Sequence, residues 1–348
     1  MLFTKGFAAQ SPTSPLEPFS FQRRELKPKD VLIEIMYCGI CHSDVHQARN
    51  EWGASIFPIV PGHEIVGKIT KIGSSVKRFH IGETVGVGCL VDSCRACSCC
   101  HEGLEQFCSA AVWTYNSTTK DSETPTYGGY SSQIVVDEDY VLHISENLAL
   151  DRVAPLLCAG ITTYSPLKYC KVGKGQQVAV AGLGGLGHMA VKLASAMGAE
   201  VTVLSTSAAK AKDAQKLGAH HFAVTADKGT FTTLAGHFDL IINTIAVPHD
   251  IDAYLRLLKV EGTMVMVGLP STSFNLHPSS LIQGRKKLMG SLIGGIAETQ
   301  EMLDYCAEHN ILSDIEVIPI QEINTAYERM LKGDVRYRFV VDMKSLVD

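Results

Sequence analysis

Up to about residue 145, apolar positions come in short β-branched runs bounded by turn residues. Residues 31–35 (Val-Leu-Ile-Glu-Ile), 65–72, 84–88 and 132–136 read as strands. Helical periodicity is scarce in this part. Residues 114–128, polar and turn-rich with Pro125 and Gly128-Gly129, read as a surface loop. Near residue 158 the pattern changes. A short apolar run at 177–181 meets a glycine turn, and a helical pattern follows through 189–194. Strand patterns at 200–204, 238–243 and 263–268 continue the series, with a helical stretch at 208–217. Strands alternating with helices of this length predict βαβ units on a parallel sheet. The C-terminal stretch predicts a helix at 299–309, a strand at 316–319, a further helix and a closing strand at 339–342. No internal repeat or low-complexity segment is present.

A chain of 348 residues exceeds a single core and suits two domains. The net charge of −5 and scattered basic residues oppose nucleic acid as a partner, because phosphate binding needs a basic face. The one short basic run, Arg285-Lys286-Lys287, is too small to form such a face. The N-terminal residues lack the apolar run of a signal peptide. The longest mostly apolar stretch, 178–199, is broken by His188, Lys192 and several glycines, so it makes a poor membrane span. A soluble, cytoplasmic protein is expected, with neither nucleic acid nor membrane as partner.

The chemistry enters through cysteine. Cys94, Cys97, Cys100 and Cys108 follow C-x2-C-x2-C-x7-C, the closed thiolate shell of a structural zinc site, with Cys99 as a bystander. An odd total of 11 cysteines with this clustering suits metal and free thiols better than disulfides. Gly182, Leu183, Gly184, Gly185, Leu186 and Gly187 form G-x-G-x-x-G between a predicted strand and helix, the setting of a dinucleotide pyrophosphate loop. The competing reading is a glycine-rich turn of any α/β protein. At the end of the next strand, an NAD-specific fold carries an acid for the ribose hydroxyl. Here Ser205, Thr206 and Ser207 stand instead, with Lys210 beyond, and the first acid is Asp213. Hydroxyls and an ammonium suit a 2′-phosphate, so NADP(H) is the expected cofactor. Helix capping by Ser207 would explain that residue alone. Cys41, His63 and Cys158 are dispersed. By spacing they read equally well as zinc ligands or as core residues, as do Cys38, Cys170 and Cys306 for the core alone.

Seven segments in order carry a resemblance: G-I-C-H-S-D-V-H (39–46), P-G-H-E-I-V-G (61–67), the four-cysteine lobe, C-A-G-I-T-T-Y (158–164), G-L-G-G-L-G (182–187), S-T-S (205–207) and D-V-R-Y-R-F-V-V-D (334–342). Over essentially its whole length the chain resembles the zinc-dependent medium-chain alcohol dehydrogenases, most of all their cinnamyl alcohol dehydrogenase branch. That resemblance implies an α/β fold. A GroES-like β-rich catalytic domain would span 1–157 with a structural zinc lobe at 89–110. A Rossmann nucleotide-binding domain with a doubly wound parallel sheet would span 158–295, and 296–348 would return to the catalytic domain. It places a catalytic zinc on Cys41, His63 and Cys158, making two zincs per chain. In such a Cys2His set, known in alcohol dehydrogenase, a fourth position stays open. Glu64 matches the acid that approaches the metal, and Asp44 the carboxylate that orients His63. Ser43 and His46 match a proton relay, and His42, Thr162 and Arg336 match cofactor contacts. Cys89, Trp113 and Ile293 match the substrate pocket. Ile293 stands where plant enzymes of this branch often carry an aromatic residue, which favours a broad range of primary alcohols and aldehydes over cinnamyl substrates alone. A homodimer through the nucleotide-domain edges is implied. The competing class is a zinc-binding interaction module without catalysis, which would hold one zinc where the enzyme holds two. A zinc-free quinone reductase lacks the ligands kept here.

Overall fold

The computed structural model describes residues 1–119, 124–270 and 273–346. Of the segment 114–128, residues 120–123 therefore lie outside the described residues, as do 271–272 and 347–348 of the two later domains. The chain divides into two units, Met1–Cys158 with Gly294–Asp348, and Ala159–Ile293.

The first unit is built on Asp30–Gly39, a strand buried along most of its length. Along one edge it pairs antiparallel with Ile65–Ile72, which continues to Thr84–Val87 and Leu142–His143. Its other edge is shared by Gln133–Asp137 and the closing strand Arg338–Asp342, the latter paired in turn with Ile315–Pro319. Leu2–Ala9 and Leu16–Arg23 add an antiparallel hairpin, and Leu90–Asp92 pairs with Val112–Trp113. The apolar residues of these strands, among them Ile33, Ile65, Ile69 and Ile134, form the core of this unit.

Two expectations change here. The N-terminal part does contain a functional helix, His42–Ala48, seven residues long and too short to show a period. It forms because Cys41 and Asp44 make a reciprocal capping box at its start. The segment 114–128 is not wholly a surface loop. Thr114, Tyr115, Gly128 and Gly129 are buried. Their polar groups are satisfied inside: Thr114 Oγ1 donates to Gly88 O at 2.5 Å, and Gly128 N to Val60 O at 2.7 Å.

The second unit carries six parallel strands in the order His221–Val224, Glu200–Ser205, Gln177–Ala181, Phe238–Asn243, Leu258–Met266, Lys287–Gly290. In chain order this is 3-2-1-4-5-6, the doubly wound nucleotide-binding topology. The central strands are largely buried and rich in apolar residues because both faces are covered. Phe238, Ile241, Leu255, Leu258 and Met264 pack into one cluster. The two edge strands escape a sequence reading because they are half exposed and lack an apolar run. The strand order reverses between Gln177–Ala181 and Phe238–Asn243, and such a switch point opens a crevice at the strands' carboxyl ends. Among the described residues no helix is long and apolar enough to cross a membrane.

Candidate active site

Three separated pieces of the first unit converge. Cys41 follows the central strand and caps the short helix. His63 and Glu64 immediately precede the strand Ile65–Ile72, and Cys158 follows the 3-10 turn Ala154–Leu157. One ligand atom from each of Cys41, His63, Glu64 and Cys158 lies within 4.8 Å of the others. The Cys41 and Cys158 sulfurs are 3.9 Å apart. Two sulfurs and an imidazole are the donor set zinc prefers.

Asp44 organises this cluster. It is fully buried, and its carboxylate accepts from Cys41 N at 2.8 Å, Gly62 N at 3.1 Å, His63 Nδ1 at 3.1 Å and Tyr130 Oη at 3.0 Å. Four donors offset the cost of burying the charge. Because a carboxylate only accepts, Nδ1 of His63 carries the proton and Nε2 is left to bind metal. Burial disfavours charge on His63, yet the Asp44 carboxylate outweighs it and raises the imidazole well above its usual range.

Glu64 Oε1 is paired with the buried Arg338, whose guanidinium also donates to Ile40 O at 2.8 Å. Burial pushes the Glu64 carboxyl up, against the pull of Arg338. Glu64 Oε2 has no hydrogen-bond partner although it is buried. An orphaned carboxylate oxygen in a sulfur–imidazole cluster is what a cation would satisfy, so the residues present fit zinc. Glycine is required at 39, since a Cβ there would lie 1.9 Å from Glu64 Oε2. Arg338 is one residue that sequence reading missed, and Tyr130, which donates to Asp44, is another. The closing motif drew attention to Arg336, which is exposed, its Nη1 donating to Val335 O at 3.4 Å. Two positions on, Arg338 begins the buried closing strand.

Ser43 Oγ lies 3.6 Å from Cys41 Sγ. His46, one helical turn on, is part-buried, its Nδ1 held by Glu51 and its ring stacked on Trp52 at 4.8 Å. His42 is exposed on the same helix. Cys89 is half-buried with its sulfur 3.9 Å from Leu157 O, next to Cys158 in the chain. Trp113, half-buried, ends the strand Val112–Trp113. In the second unit, Thr162 is buried in the helix Ala159–Tyr169. Ile293 is buried at a φ of 36°, unusual for a β-branched residue.

The four lobe cysteines form a separate group, with one atom from each within 4.8 Å of the rest. Cys97 and Cys100 sulfurs are 3.5 Å apart, and those of Cys94 and Cys100 3.8 Å. Backbone amides point at the sulfurs: Ala96 N and Cys97 N donate to Cys94 Sγ at 3.5 and 3.3 Å, Cys94 N and Ala110 N to Cys108 Sγ at 3.4 Å. The amides of Ala96 and Cys97 pull the Cys94 thiol down to about 6. Amides that stabilise thiolate prepare a cation site, so this group also fits zinc. Cys99 is outside it.

In the second unit the six-residue glycine loop joins the strand Gln177–Ala181 to the helix Gly187–Ala196. A Cβ at Gly187 would lie 2.1 Å from Gly182 O, so this position needs glycine for close packing. A Cβ at Gly184 would meet nothing within 4 Å, which is the open approach a pyrophosphate requires. Ser205 is buried at the end of its strand, and its Oγ accepts from Ser207 N at 3.3 Å. Thr206 and Ser207 are exposed, and Ser207 makes no side-chain cap. Lys210 Nζ donates to Leu183 O at 2.8 Å, which fixes the ammonium between the hydroxyl turn and the glycine loop. The loop and its flanking cation fit a phosphorylated dinucleotide.

Residues 27–146 match the family model of the alcohol dehydrogenase GroES-like domain, and residues 185–308 that of the zinc-binding dehydrogenase. The chain is 54% identical to NADP-dependent alcohol dehydrogenase C 1 of Mycolicibacterium smegmatis over 99% of each protein. It superposes on a cinnamyl alcohol dehydrogenase of Sorghum bicolor with a TM-score of 0.96, at 45% identity and 98% coverage of both chains. With the cinnamyl alcohol dehydrogenase of Helicobacter pylori complexed with NADP(H), the TM-score is 0.94 at 48% identity and 99% coverage of both. The chain belongs to the zinc-binding medium-chain alcohol dehydrogenases, in their cinnamyl alcohol dehydrogenase-like branch.

Proposed function

We propose that this chain is a zinc- and NADP(H)-dependent dehydrogenase interconverting primary alcohols and aldehydes, with Cys41, His63 and Cys158 holding the catalytic zinc. The observation that carries the reading is the cluster of two sulfurs and an imidazole beside the unpartnered Glu64 oxygen. When bound, zinc supplies a Lewis acid for the substrate oxygen and NADP(H) supplies the hydride. Asp44 holds His63 in the tautomer that presents Nε2. Ser43 Oγ exchanges the substrate proton, and His46 takes it up at Nε2, because Glu51 occupies Nδ1. Glu64 Oε2 stands ready to enter the ligand set. Cys94, Cys97, Cys100 and Cys108 hold a second, structural zinc. The interaction-module alternative fails on the full-length likeness to dehydrogenases.

For the cofactor, Gly182, Gly184 and Gly187 shape the pyrophosphate loop, with Leu183, Gly185 and Leu186 between them. His42, Thr162 and Arg336 add contacts. Ser205, Thr206, Ser207 and Lys210 receive the 2′-phosphate. A relative named as NADP-dependent and one complexed with NADP(H) support this choice. Ser205→Asp is expected to move the ratio of kcat/KM for NADPH over NADH by about tenfold or more towards NADH, ~1.4 kcal/mol. An unchanged ratio would refute the phosphate-site assignment.

Cys89, Trp113 and Ile293 are proposed to line the substrate pocket, where the flat indole of Trp113 suits aromatic aldehydes. Cinnamyl, benzyl, branched and straight-chain aldehydes tested with NADPH should all turn over, the aromatic ones most efficiently. Absence of NADPH oxidation with every class would overturn the reading. The domains are proposed as 1–157 with 296–348, and 158–295. The outer edge of Lys287–Gly290 is proposed to join two copies into a homodimer. Eleven cysteines without a disulfide favour the reducing cytoplasm.

A further inference from the structure

The four-cysteine lobe is tied to the body of its unit through one buried serine. Ser93 immediately precedes the first lobe cysteine and is fully buried. Its Oγ lies 3.1 Å from Cys100 Sγ. The same oxygen accepts from Tyr140 Oη at 2.6 Å and from Arg95 N at 3.4 Å. A hydroxyl has one proton and two acceptor lone pairs. A thiolate that binds zinc carries no proton, so across this contact the Ser93 hydroxyl is the donor and Cys100 Sγ the acceptor. The direction of the chain is therefore set: Tyr140 donates to Ser93, and Ser93 donates to the sulfur.

Tyr140 is itself held firmly. It is buried on the 3-10 turn Glu138–Tyr140 that follows the strand Gln133–Asp137. Burial pushes its phenol up to about 12, so it remains a donor at neutral pH. The Arg95 guanidinium lies over its ring, 5.1 Å from the centroid. Arg95 is in turn fixed by Asp92 and Asp137 at 3.1 Å and Asp139 at 2.8 Å. Arg95 adopts a left-handed φ of 60° between Cys94 and Cys97.

We propose that Ser93 and Tyr140 are positioning residues of the lobe's metal site, a hydroxyl pair that orients Cys100 and slows loss of its zinc. This rests on the reading of the lobe as a zinc site. Partners of this kind beyond the ligands are typically worth about 10- to 100-fold in metal affinity. Nothing else in the lobe gives a sulfur a side-chain donor among the hydrogen bonds described: the other sulfurs are served by backbone amides or by one another.

The test is zinc release from the purified full-length chain into a chromogenic chelator. The phase belonging to the lobe is assigned as the one missing in Cys94→Ser. Tyr140→Phe keeps the ring and removes only the hydroxyl, and Ser93→Ala removes the donor to Cys100. Each is expected to speed release of the lobe zinc about 10- to 100-fold and to leave the other zinc phase at the wild-type rate. Because Tyr140 acts through Ser93, adding Tyr140→Phe to Ser93→Ala should change the rate little further. Ser93→Thr, which keeps a hydroxyl, should release more slowly than Ser93→Ala. Wild-type release from Tyr140→Phe and Ser93→Ala would overturn the proposal, as would fully additive effects. A wild-type chain with no second zinc would instead overturn the lobe reading beneath it.

Discussion

Replacing Cys41 by Ser or His63 by Ala is expected to lower kcat/KM by about 10^3-fold or more. Both residues lie in the largely buried group whose ligand atoms fall within 4.8 Å of one another. Losing either leaves too few soft donors to hold zinc in a site that must keep one position open. A Lewis acid on the substrate oxygen is worth several kcal/mol, and each 1.36 kcal/mol is tenfold in rate. The glycine loop and hydroxyl turn are separate from this cluster in the chain, so NADPH affinity should hold. Steady-state kinetics with a fluorescence titration of NADPH checks both halves. Full activity in either variant would remove that residue from the site.

The second large effect concerns stability. Arg338→Met leaves Glu64 buried with Oε1 stripped of its partner and Oε2 already without a hydrogen bond. Breaking a buried ion pair from one side costs about 3–5 kcal/mol, because the remaining charge is uncompensated. Chemical unfolding should show a loss of that size. The double variant Arg338→Met with Glu64→Gln should recover much of it, since no buried charge is then left alone. A loss below about 1 kcal/mol in the single variant would mean that Arg338 does not hold Glu64 in its charged form.

The sequence exposed different parts of this molecule to different degrees, for physical reasons. The central parallel strands were readable because burial on both faces gives them apolar runs, as at Leu240-Ile241-Ile242 within Phe238–Asn243. The edge strands His221–Val224 and Lys287–Gly290 were not, because exposure dilutes that signal. The helix His42–Ala48 was hidden by its length. It is stabilised by a cap and by the Asp44 network, neither of which leaves a period. The lobe was plain because its ligands are local in sequence. Cys41, His63 and Cys158 are brought together only by tertiary structure, so spacing left them undecided and family resemblance was needed to choose them. Arg338 and Tyr130 show the remaining gap. Tyr130 donates to Asp44 and Arg338 pairs with Glu64 from distant strands or loops, and no local pattern announces such a role.

Metal-dependent turnover tests the catalytic zinc most directly. Purified chain should oxidise one NADPH for each aldehyde reduced, lose that activity when zinc is stripped by a chelator, and regain it when zinc alone is returned. Undiminished aldehyde reduction by stripped, still-folded chain would contradict the assignment of Cys41, His63 and Cys158 to a catalytic zinc.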